Sequence, residues 1–199
     1  MIIPDEYINK VKSRSTFAYF KGLVARLPLY LKSTFIRRYA ITKGATIGKG
    51  TAISWHIAKS ANSNLIIGED CAIDADYIDC RRKVVVGDHV IINKGVEIIR
   101  VSHYIDENRT FETRYYPDLH IDDYCWVSSG AKILPQVTAI AKGTICGAFS
   151  VIVKNTDENG VYGGNPGKML KKRTSLHDQV IVASLQGCDL PYYIKARKM

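Results

Sequence analysis

The feature that most constrains this 199-residue chain is an aliphatic residue that returns every six positions over much of its length. The residue after each of these anchors is usually small or turn-forming, and a second tightly packing residue often follows four positions after the anchor. Neither an α-helix nor an ordinary strand repeats at six. The anchors are Ile41, Ile47, Ile53, Ile67, Ile73, Val86, Ile92, Ile98, Ile121, Val127, Ile133, Ile140, Cys146 and Ile152.

Six residues suit one short strand followed by a corner, and three such sides make a triangular coil of about eighteen residues. Stacked coils pair strand on strand about 4.8 Å apart, with the anchors pointing into a narrow interior. One coil cannot bury that interior alone, so the stack is stabilised by its neighbours. The repeat therefore predicts a parallel β-helix of roughly five coils over residues 41–158. A helical region over 1–40 precedes it, and an exit segment with a tail over 159–199 follows it.

Several motifs accompany the repeat, and with them the chain resembles a known family, the hexapeptide-repeat, left-handed β-helix acyltransferases. The motifs are Ser102-His103-Tyr104, the restart Ile121-Asp122-Asp123-Tyr124-Cys125-Trp126-Val127, the run Ile133-Leu134-Pro135-Gln136-Val137, and the exit Gly163-Gly164-Asn165-Pro166-Gly167-Lys168. The resemblance covers about residues 41–173 and is strongest to bacterial O-acetyltransferases of sugars and surface polysaccharides. It implies an all-β fold wound in the left-handed sense, a homotrimer, and acetyl-CoA as the donor substrate.

The positive charge is concentrated in the N-terminal third of the chain. From Tyr7 to Gly68 there are eleven Lys or Arg and no Asp or Glu, against a formal net charge of +9 for the whole chain. Apolar residues recur there at helical spacing and Pro28 interrupts them, which predicts two short basic amphipathic helices. We expect these helices either to cap the open end of the prism or to contact an anionic membrane surface. Nucleic-acid binding is not expected, because no nucleic-acid motif accompanies the charge.

The five cysteines are odd in number and form no CxxC pair. Cys71, Cys125 and Cys146 fall on inward positions of the repeat, where cysteine acts as a small hydrophobe. No stretch is apolar for about 20 residues, and the first residues do not read as a secretory signal. We therefore expect a reduced, cytoplasmic protein without a disulfide framework.

The repeat is interrupted once, by the polar and aromatic loop 100–120, which we expect to project outward. A long loop on a rigid scaffold is where binding chemistry usually lies. The resemblance places the general base of the family on His103, at the base of this loop, and in a trimer that residue would line the groove between two prisms. An imidazole that accepts the proton of an attacking hydroxyl is worth roughly 10²–10⁴-fold in rate. Glu97, Asp106 or a backbone carbonyl could orient this ring.

The resemblance also places the donor beside the coils that follow the loop. It implies cofactor-binding roles for Ser129, Ala148, Lys154 and Lys168, the two lysines meeting the nucleotide phosphates. A backbone amide of Ser128 or Ser129 could hold the tetrahedral oxyanion. The chain departs from the family pattern with Gln136 and Phe149 in place of Gly and with Gly167 in place of Ala. A bulky Phe149 could alter the path of the donor.

Asp74, Asp76 and Asp79 lie one coil before the loop and could bind the hydroxyl groups of a carbohydrate acceptor, or could be exposed corner residues. We expect no metal. Three other functions stay open: N-acetylation of an amino sugar, a non-catalytic trimeric scaffold, and a trimeric zinc hydratase using His56, His89 and His120. The apolar run Val180–Leu185 near the C-terminus predicts a short helix that packs on the prism or on a neighbouring subunit. The favoured prediction is an acetyl-CoA-dependent O-acetyltransferase acting on a sugar or polysaccharide precursor.

Overall fold

The computed structural model describes residues 3–104 and 113–199. Its helices lie at the two ends of the chain and at one corner of the first coil. They are α1 (Asp5–Lys12), α2 (Thr16–Thr42), α3 (Trp55–Ser60), a 3-10 helix (Val182–Gln186) and α4 (Leu190–Lys198). Serines begin two of them: Ser15 accepts a hydrogen bond from the Ala18 amide at α2, and Ser54 accepts one from the Ile57 amide at α3. These caps satisfy amides that a helix leaves unpaired at its start.

The strands form three faces of a prism, which we name A, B and C. Face A contains β1 (Thr46–Ile47), β3 (Leu65–Ile67), β6 (Val84–Val86), β11 (Leu119–Ile121) and β14 (Ala139–Ile140). Face B contains β2 (Ala52–Ile53), β4 (Ala72–Ile73), β7 (Ile91–Ile92), β12 (Trp126–Val127), β15 (Ile145–Cys146), β17 (Gly160–Gly163) and β18 (Lys168–Lys172). Face C contains β5 (Tyr77–Ile78), β8 (Glu97–Ile98), β13 (Lys132–Ile133) and β16 (Val151–Ile152). The remaining pair, β9 (Ser102–His103) and β10 (Arg114–Tyr115), is an antiparallel hairpin.

Pairing within the three faces is parallel except at the β17–β18 hairpin, as the six-residue repeat predicts. The coil is longer than predicted, because Ile67 pairs with Val86 and Ile121 pairs with Ile140, each nineteen residues later. Ile47 pairs with Ile67 and Ile53 with Ile73, each twenty residues later, so the expected coil of eighteen residues is too short by one or two residues.

The anchors from Ile47 to Ile152 are buried in one continuous core. Ile41 is the exception, because α2 continues to Thr42 and leaves the Ile41 side chain 41% exposed. The first strand of the prism begins only at Thr46. Cys71, Cys125 and Cys146 are buried as predicted.

The chain turns at three corners, A–B, B–C and C–A, named for the faces that they join. Two corners carry a column of residues with positive φ, the region that favours glycine. The A–B column is Gly50, Asp70, His89, Tyr124 and Gly143, and the B–C column is Gly95, Gly130 and Phe149. Stacking of successive coils brings equivalent side chains together, so the rings of His89 and Tyr124 stack at 4.9 Å.

Helix α2 runs through Pro28 as one helix of 27 residues, so the predicted break at this proline is wrong. A proline removes one helical hydrogen bond, but packing on both sides of it holds the helix together. Before the proline, Gly22 lies against the ring of Tyr193, and after it Ile36 and Ala40 join the core of the prism. No helix within residues 3–104 and 113–199 is both long and apolar enough to cross a bilayer.

Loop 100–120 was expected to project outward over its whole length, but both of its ends belong to the prism. Arg100 is fully buried, and its guanidinium donates hydrogen bonds to the carbonyls of Pro117, Asp118, Leu134 and Pro135. At the other end, residues 119–121 already form strand β11 of face A. A charged side chain can enter the prism here because four backbone oxygens surround it.

The C-terminal tail packs back along its own chain. Arg173 donates to the carbonyls of Tyr124 and Gly143, His177 Nε2 lies 2.8 Å from the His89 carbonyl oxygen, and the Val182 amide donates to Asp70. The tail therefore follows the A–B corner from the later coils back toward the first. Beyond it, α4 packs against α1 and α2, where Asp189 pairs with Arg26.

Candidate active site

Four of the predicted site residues share the B–C corner. Asp74 follows β4, Ser129 lies two residues after β12, and Ala148 lies two residues after β15, in coils that stack through Ile73, Ile92, Val127 and Cys146. Asp76 occupies the same corner, where its carboxylate accepts a hydrogen bond from the Gly95 amide at 3.1 Å. The corner thus presents a column of polar side chains and backbone that runs along the prism.

A shallow depression of about 290 Å³ opens beside this column. Asp74 and Ser129 both line it, together with Asn93 and Lys94 from the coil between them. Asn93 was not predicted as a site residue, although its position directly after the anchor Ile92 could have indicated it. Hydroxyl, amide and carboxylate groups that converge on one depression suit a polyhydroxylated ligand.

His103 lies at a different corner. It follows β8 of face C and belongs to β9, whose partner in the hairpin is β10, with Arg114 opposite His103. Tyr104 continues the hairpin, since its amide donates to the Thr113 carbonyl and its ring lies 5.0 Å from that of Tyr115. His103 is half-buried at the base of the insertion, on the side where face C turns into face A.

Of the groups predicted to orient His103, Glu97 is engaged elsewhere: its carboxylate lies 2.5 Å from the Lys132 ammonium on face C. Asp106 lies outside the described residues. The hairpin itself is fixed by Arg100, whose buried guanidinium joins the first residues of the insertion to its last and to the next coil. The base of the insertion is therefore a rigid support for His103.

Asp79 supports the same structure, and neither alternative that the sequence left open applies to it, because it is not available to an acceptor and is not an exposed corner residue. It is buried, accepts a hydrogen bond from the Arg100 amide, and binds the Arg81 side chain through both carboxylate oxygens. Burial raises the pKa of Asp79, but the hydrogen bonds and the charge of Arg81 outweigh burial and leave this pKa below its ordinary value.

The two predicted phosphate-binding lysines lie apart. Lys168 is exposed on β18 and pairs with Gly163, which lies one coil beyond Gly147 and so extends the B–C column. Lys154 is exposed after β16, at the C–A corner. Only Lys168 therefore joins Ser129 and Ala148 at one edge of a single protomer.

The backbone amides of the column differ in their availability. Ser128 donates its amide to the Cys146 carbonyl at 2.9 Å, so the alternative of Ser128 as the oxyanion donor is wrong. Among the described residues, none accepts a hydrogen bond from the Ser129 amide. Phe149 stands beside it with φ +56°, and its 78%-exposed ring lies over Gly130. The aromatic ring thus covers part of the column, at the position where the chain has Phe in place of the Gly of the family pattern.

The histidines considered for a zinc site are dispersed. His56 lies on α3, His120 is exposed on face A, and His89 binds the buried Asp70 carboxylate through Nδ1 at 3.1 Å. The part of the chain that the structure describes contains no group of three or more ligand-type side chains placed to hold a metal ion. These three histidines therefore do not form a zinc site within one chain, and His89 is already bound to Asp70.

Asp70 forms a second polar cluster, which was not predicted from the sequence. Its carboxylate has no exposed surface and accepts hydrogen bonds from the Val182 and Ala183 amides as well as contacting His89. Since these amides lie more than a hundred residues later in the chain, no local pattern could have indicated this contact. The cluster attaches the tail to the prism.

Curated proteins that resemble this chain in sequence are acetyltransferases by name. The chain is 34% identical over 114 residues to the Saccharomyces cerevisiae protein YJL218W, an acetyltransferase by name, covering 56% of this chain and 58% of that protein. It is 28% identical over 135 residues to the galactoside O-acetyltransferase of Lactococcus lactis, covering 67% of this chain and 56% of that protein. The chain thus spans about half the length of the curated relatives that it matches. No family model matches the chain.

Solved structures share the fold at lower sequence identity. A hexapeptide-repeat-containing acetyltransferase from Vibrio cholerae superposes with a TM-score of 0.60 at 17% identity, covering 83% of this chain and 92% of that one. A maltose O-acetyltransferase from Clostridium difficile gives a TM-score of 0.51 at 21% identity, covering 74% and 89%. The chain therefore has the left-handed parallel β-helix of the hexapeptide-repeat acyltransferases and resembles that family in sequence.

Proposed function

We propose that this chain transfers an acetyl group from acetyl-CoA to a hydroxyl group of a carbohydrate. Sequence relatives from Lactococcus lactis and Escherichia coli are named galactoside O-acetyltransferases. A solved structure with the same fold is a galactoside acetyltransferase in complex with coenzyme A. These names support the donor and the class of acceptor, and the arrangement of the candidate site supports the chemistry.

The observation that carries the proposal is the separation of the candidate site into two halves. His103 lies at the C–A corner, whereas Ser129, Ala148 and Asp74 lie at the B–C corner, so face C separates them within one protomer. In the homotrimer that we propose, the C–A corner of one protomer lies against the B–C corner of the next. We infer that each active site is completed between two subunits, with His103 of one facing the column of its neighbour.

In this arrangement the donor lies along the B–C column. The backbone at Ser129 and Ala148 contacts the pantetheine arm, and Lys168 meets the phosphates at the end of the column, since an exposed ammonium group attracts an anionic ligand. Lys154, at the other corner, reaches the donor only from the adjacent subunit. Phe149 narrows the column and favours a small acyl group.

The acceptor is activated by His103. Its imidazole takes the hydroxyl proton as the acceptor oxygen forms a bond to the thioester carbonyl carbon. The tetrahedral oxyanion accepts a hydrogen bond from the Ser129 amide. Collapse breaks the carbon–sulfur bond, and the imidazolium returns the proton to the departing coenzyme A thiolate. Asp74, in the depression beside Ser129, accepts hydrogen bonds from further hydroxyl groups of the acceptor.

The direct test is thiol release from acetyl-CoA in the presence of a panel of sugars, galactosides, maltose and amino sugars. We expect turnover with at least one hydroxyl acceptor and a loss of about 10²-fold or more in kcat for His103→Ala. His120→Ala is the matched control, because His120 is exposed on face A at the other end of the insertion. Turnover only with amino sugars would indicate N-acetylation. Failure to bind acetyl-CoA in calorimetry would favour the non-catalytic scaffold.

Subunit sharing has its own test, in which two inactive variants are combined. His103→Ala removes the base, and Ser129→Trp fills the column with an indole ring. If the site lies between subunits, co-expressed chains recover roughly a quarter of the parental activity, because random assembly joins the two intact halves in one site out of four. Recovery of no activity from well-folded mixed oligomers would contradict a shared site.

A further inference from the structure

Helix α2 buries only one of its faces against the rest of the chain. Gly22, Ile36 and Ala40 are the residues of this helix that are buried. Gly22 packs against Tyr193, while Ile36 and Ala40 pack against the core of the prism. At about 100° per residue these positions fall on one side of the helix.

The opposite side of α2 is apolar and open. Six large apolar side chains recur there at steps of three and four residues, which place them on one stripe pointing away from the prism. They are Phe17, Phe20, Val24, Leu27, Leu31 and Phe35, exposed by between 48% and 79%. Phe35 also stacks on the ring of Trp55 at 6.2 Å, so the apolar stripe continues onto α3, where Trp55 is itself 42% exposed. A contiguous apolar surface of this extent on a folded protein marks a site of interaction.

The charges around the stripe identify its partner. Helix α2 contains five Lys or Arg and no Asp or Glu. Lys21 and Lys32 are exposed along one border of the stripe, and Arg38 is exposed at its end. An apolar stripe bordered by cations, with aromatic residues on it, is typical of a helix that lies in the interface of an anionic bilayer.

A second copy of the same helix is a poorer partner for this surface. Pairing two α2 stripes would bring the cationic borders together with no carboxylate on either helix to compensate them. Pro28 also stands between the two halves of the helix, beside the stripe, where it disturbs regular pairing of helices. Phospholipid phosphates, in contrast, provide the opposite charge.

We propose that the α2 stripe is a docking surface for an anionic phospholipid bilayer, on which the helix lies flat with Phe17, Val24 and Leu31 inserted among the acyl chains. Lys21 and Lys32 then contact the phosphates beside it. This docking does not depend on the transferase activity proposed above.

The test is flotation with vesicles of phosphatidylcholine containing about 30% phosphatidylglycerol, compared with vesicles of phosphatidylcholine alone. We expect the unmodified protein to float with the anionic vesicles and to be released as salt rises. The variant Val24→Ala/Leu31→Ala should bind the anionic vesicles at least about tenfold more weakly, since it removes inserted apolar groups. Alanine favours the helix, so this variant folds.

A matched control removes the same two residue types elsewhere. Leu170 on β18 and Val180 in the tail are also exposed, and Leu170→Ala/Val180→Ala should leave vesicle binding within about twofold. The variant Lys21→Gln/Lys32→Gln should bind the anionic vesicles more weakly, while its binding to vesicles of phosphatidylcholine alone should change little.

Two results would overturn the proposal. One is a protein that does not float with anionic vesicles at low salt. The other is equal loss of binding in the stripe variant and in the control. If Val24→Ala/Leu31→Ala instead lowers the number of subunits in sedimentation equilibrium without changing vesicle binding, the stripe is an interface between copies of this chain.

Discussion

At the scale of single residues, two buried charged side chains do most to hold irregular parts of this structure to the repeat. Arg100 fixes the base of the insertion through four carbonyl oxygens, and Asp70 fixes the tail through two amides and His89. Burial of a charge is costly unless hydrogen bonds surround it. Both residues meet this condition, so each is specific for one arrangement of the segments around it.

Replacing Arg100 tests this reading. Arg100→Met keeps much of the volume but leaves buried carbonyl groups without donors, and we expect it to lower the free energy of unfolding by roughly 3–5 kcal/mol. Chemical denaturation measures this loss. Arg82→Met is the control, because the ion pair of Arg82 with Asp118 is exposed on both sides and its loss should change stability by less than about 1 kcal/mol. An equal effect of both substitutions would contradict the role of Arg100.

At the scale of elements, α2 joins the first coil of the prism to the C-terminal helix. Its close approach to α4 depends on Gly22, where a Cβ atom would collide with the ring of Tyr193. That ring is fully buried, stacks on Tyr19 at 5.0 Å and lies 4.1 Å below the Arg26 guanidinium. The absence of one side chain on α2 thus determines how near the two helices come.

We expect Gly22→Ala to destabilise the protein by about 1–2 kcal/mol. Alanine alone favours a helix by roughly 1 kcal/mol over glycine, but the collision with the buried Tyr193 costs more than this gain. Thermal unfolding measures the net effect. Lys21→Ala, one residue away on the exposed side, is the control and should be nearly neutral. A rise in Tm for Gly22→Ala would show that α4 does not pack as closely as described.

The tail makes stability depend on pH through two histidines with opposite effects. The hydrogen bond to Asp70 raises the pKa of His89 in the folded protein. The contribution of His89 to the free energy of unfolding is therefore complete below its unfolded-state pKa of about 6.5, and it is lost as pH rises through the folded-state pKa. Burial lowers the pKa of His177 in the folded protein, so protonation of this ring opposes folding. Stability is therefore lost as pH falls from the unfolded-state pKa of about 6.5 through the folded-state pKa.

Substitution separates the two histidines. Between about pH 7.5 and pH 5.5, His177→Gln should gain more stability, or lose less, than the parent on acidification, because the opposing titration is gone. His89→Asn should change in the opposite direction. Urea denaturation at several pH values measures these slopes. Identical slopes in the parent and both variants would exclude a titrating contact between tail and prism.

At the scale of the whole molecule, the tail connects parts that stacked coils would otherwise connect only through their neighbours. It contacts Tyr124 and Gly143, then His89, then Asp70, and α4 finally reaches the N-terminal helices. Repeat structures without such a connection can unfold from their ends. In this protein the tail contacts both the early and the late coils, and so connects the two ends of the prism.

Removing residues 174–199 should therefore change how the protein unfolds as well as how stable it is. We expect the single transition of the full chain to broaden or separate into two, with the N-terminal coils melting first, because they lose the cover of Tyr192, Tyr193 and the Asp70 contacts. Calorimetry and amide hydrogen exchange follow the two regions separately. A sharp single transition in the shortened chain would show that the coils alone provide cooperativity.

How much of this structure could be predicted depends on whether the relevant contacts are local. The six-residue period identified the anchors from Ile47 to Ile152 and the single insertion, because each anchor occupies a position set by its own neighbours. Pro28 was misread because packing partners distant in sequence override its local effect. Arg100 was misplaced for the same reason, since two of its acceptors, Leu134 and Pro135, lie in the following coil.

The candidate site also contains parts that the sequence could place and parts that it could not. Ser129 and Ala148 were assigned by resemblance to a family, and they lie in one column with Asp74 because all three residues follow strands of face B. His103 was placed by resemblance to a family and lies at another corner, and sequence alone gives no distance between two corners of a prism. Whether these halves meet depends on the assembly of subunits, which the complementation experiment addresses.

The path of the tail along the A–B corner has a consequence for how this architecture can vary. An inserted coil would lengthen the route between Arg173 and Asp70 by about 4.8 Å, and a deleted coil would leave the segment slack. The length of the C-terminal tail therefore has to match the height of the prism. Relatives with a taller or shorter prism should have a correspondingly longer or shorter tail.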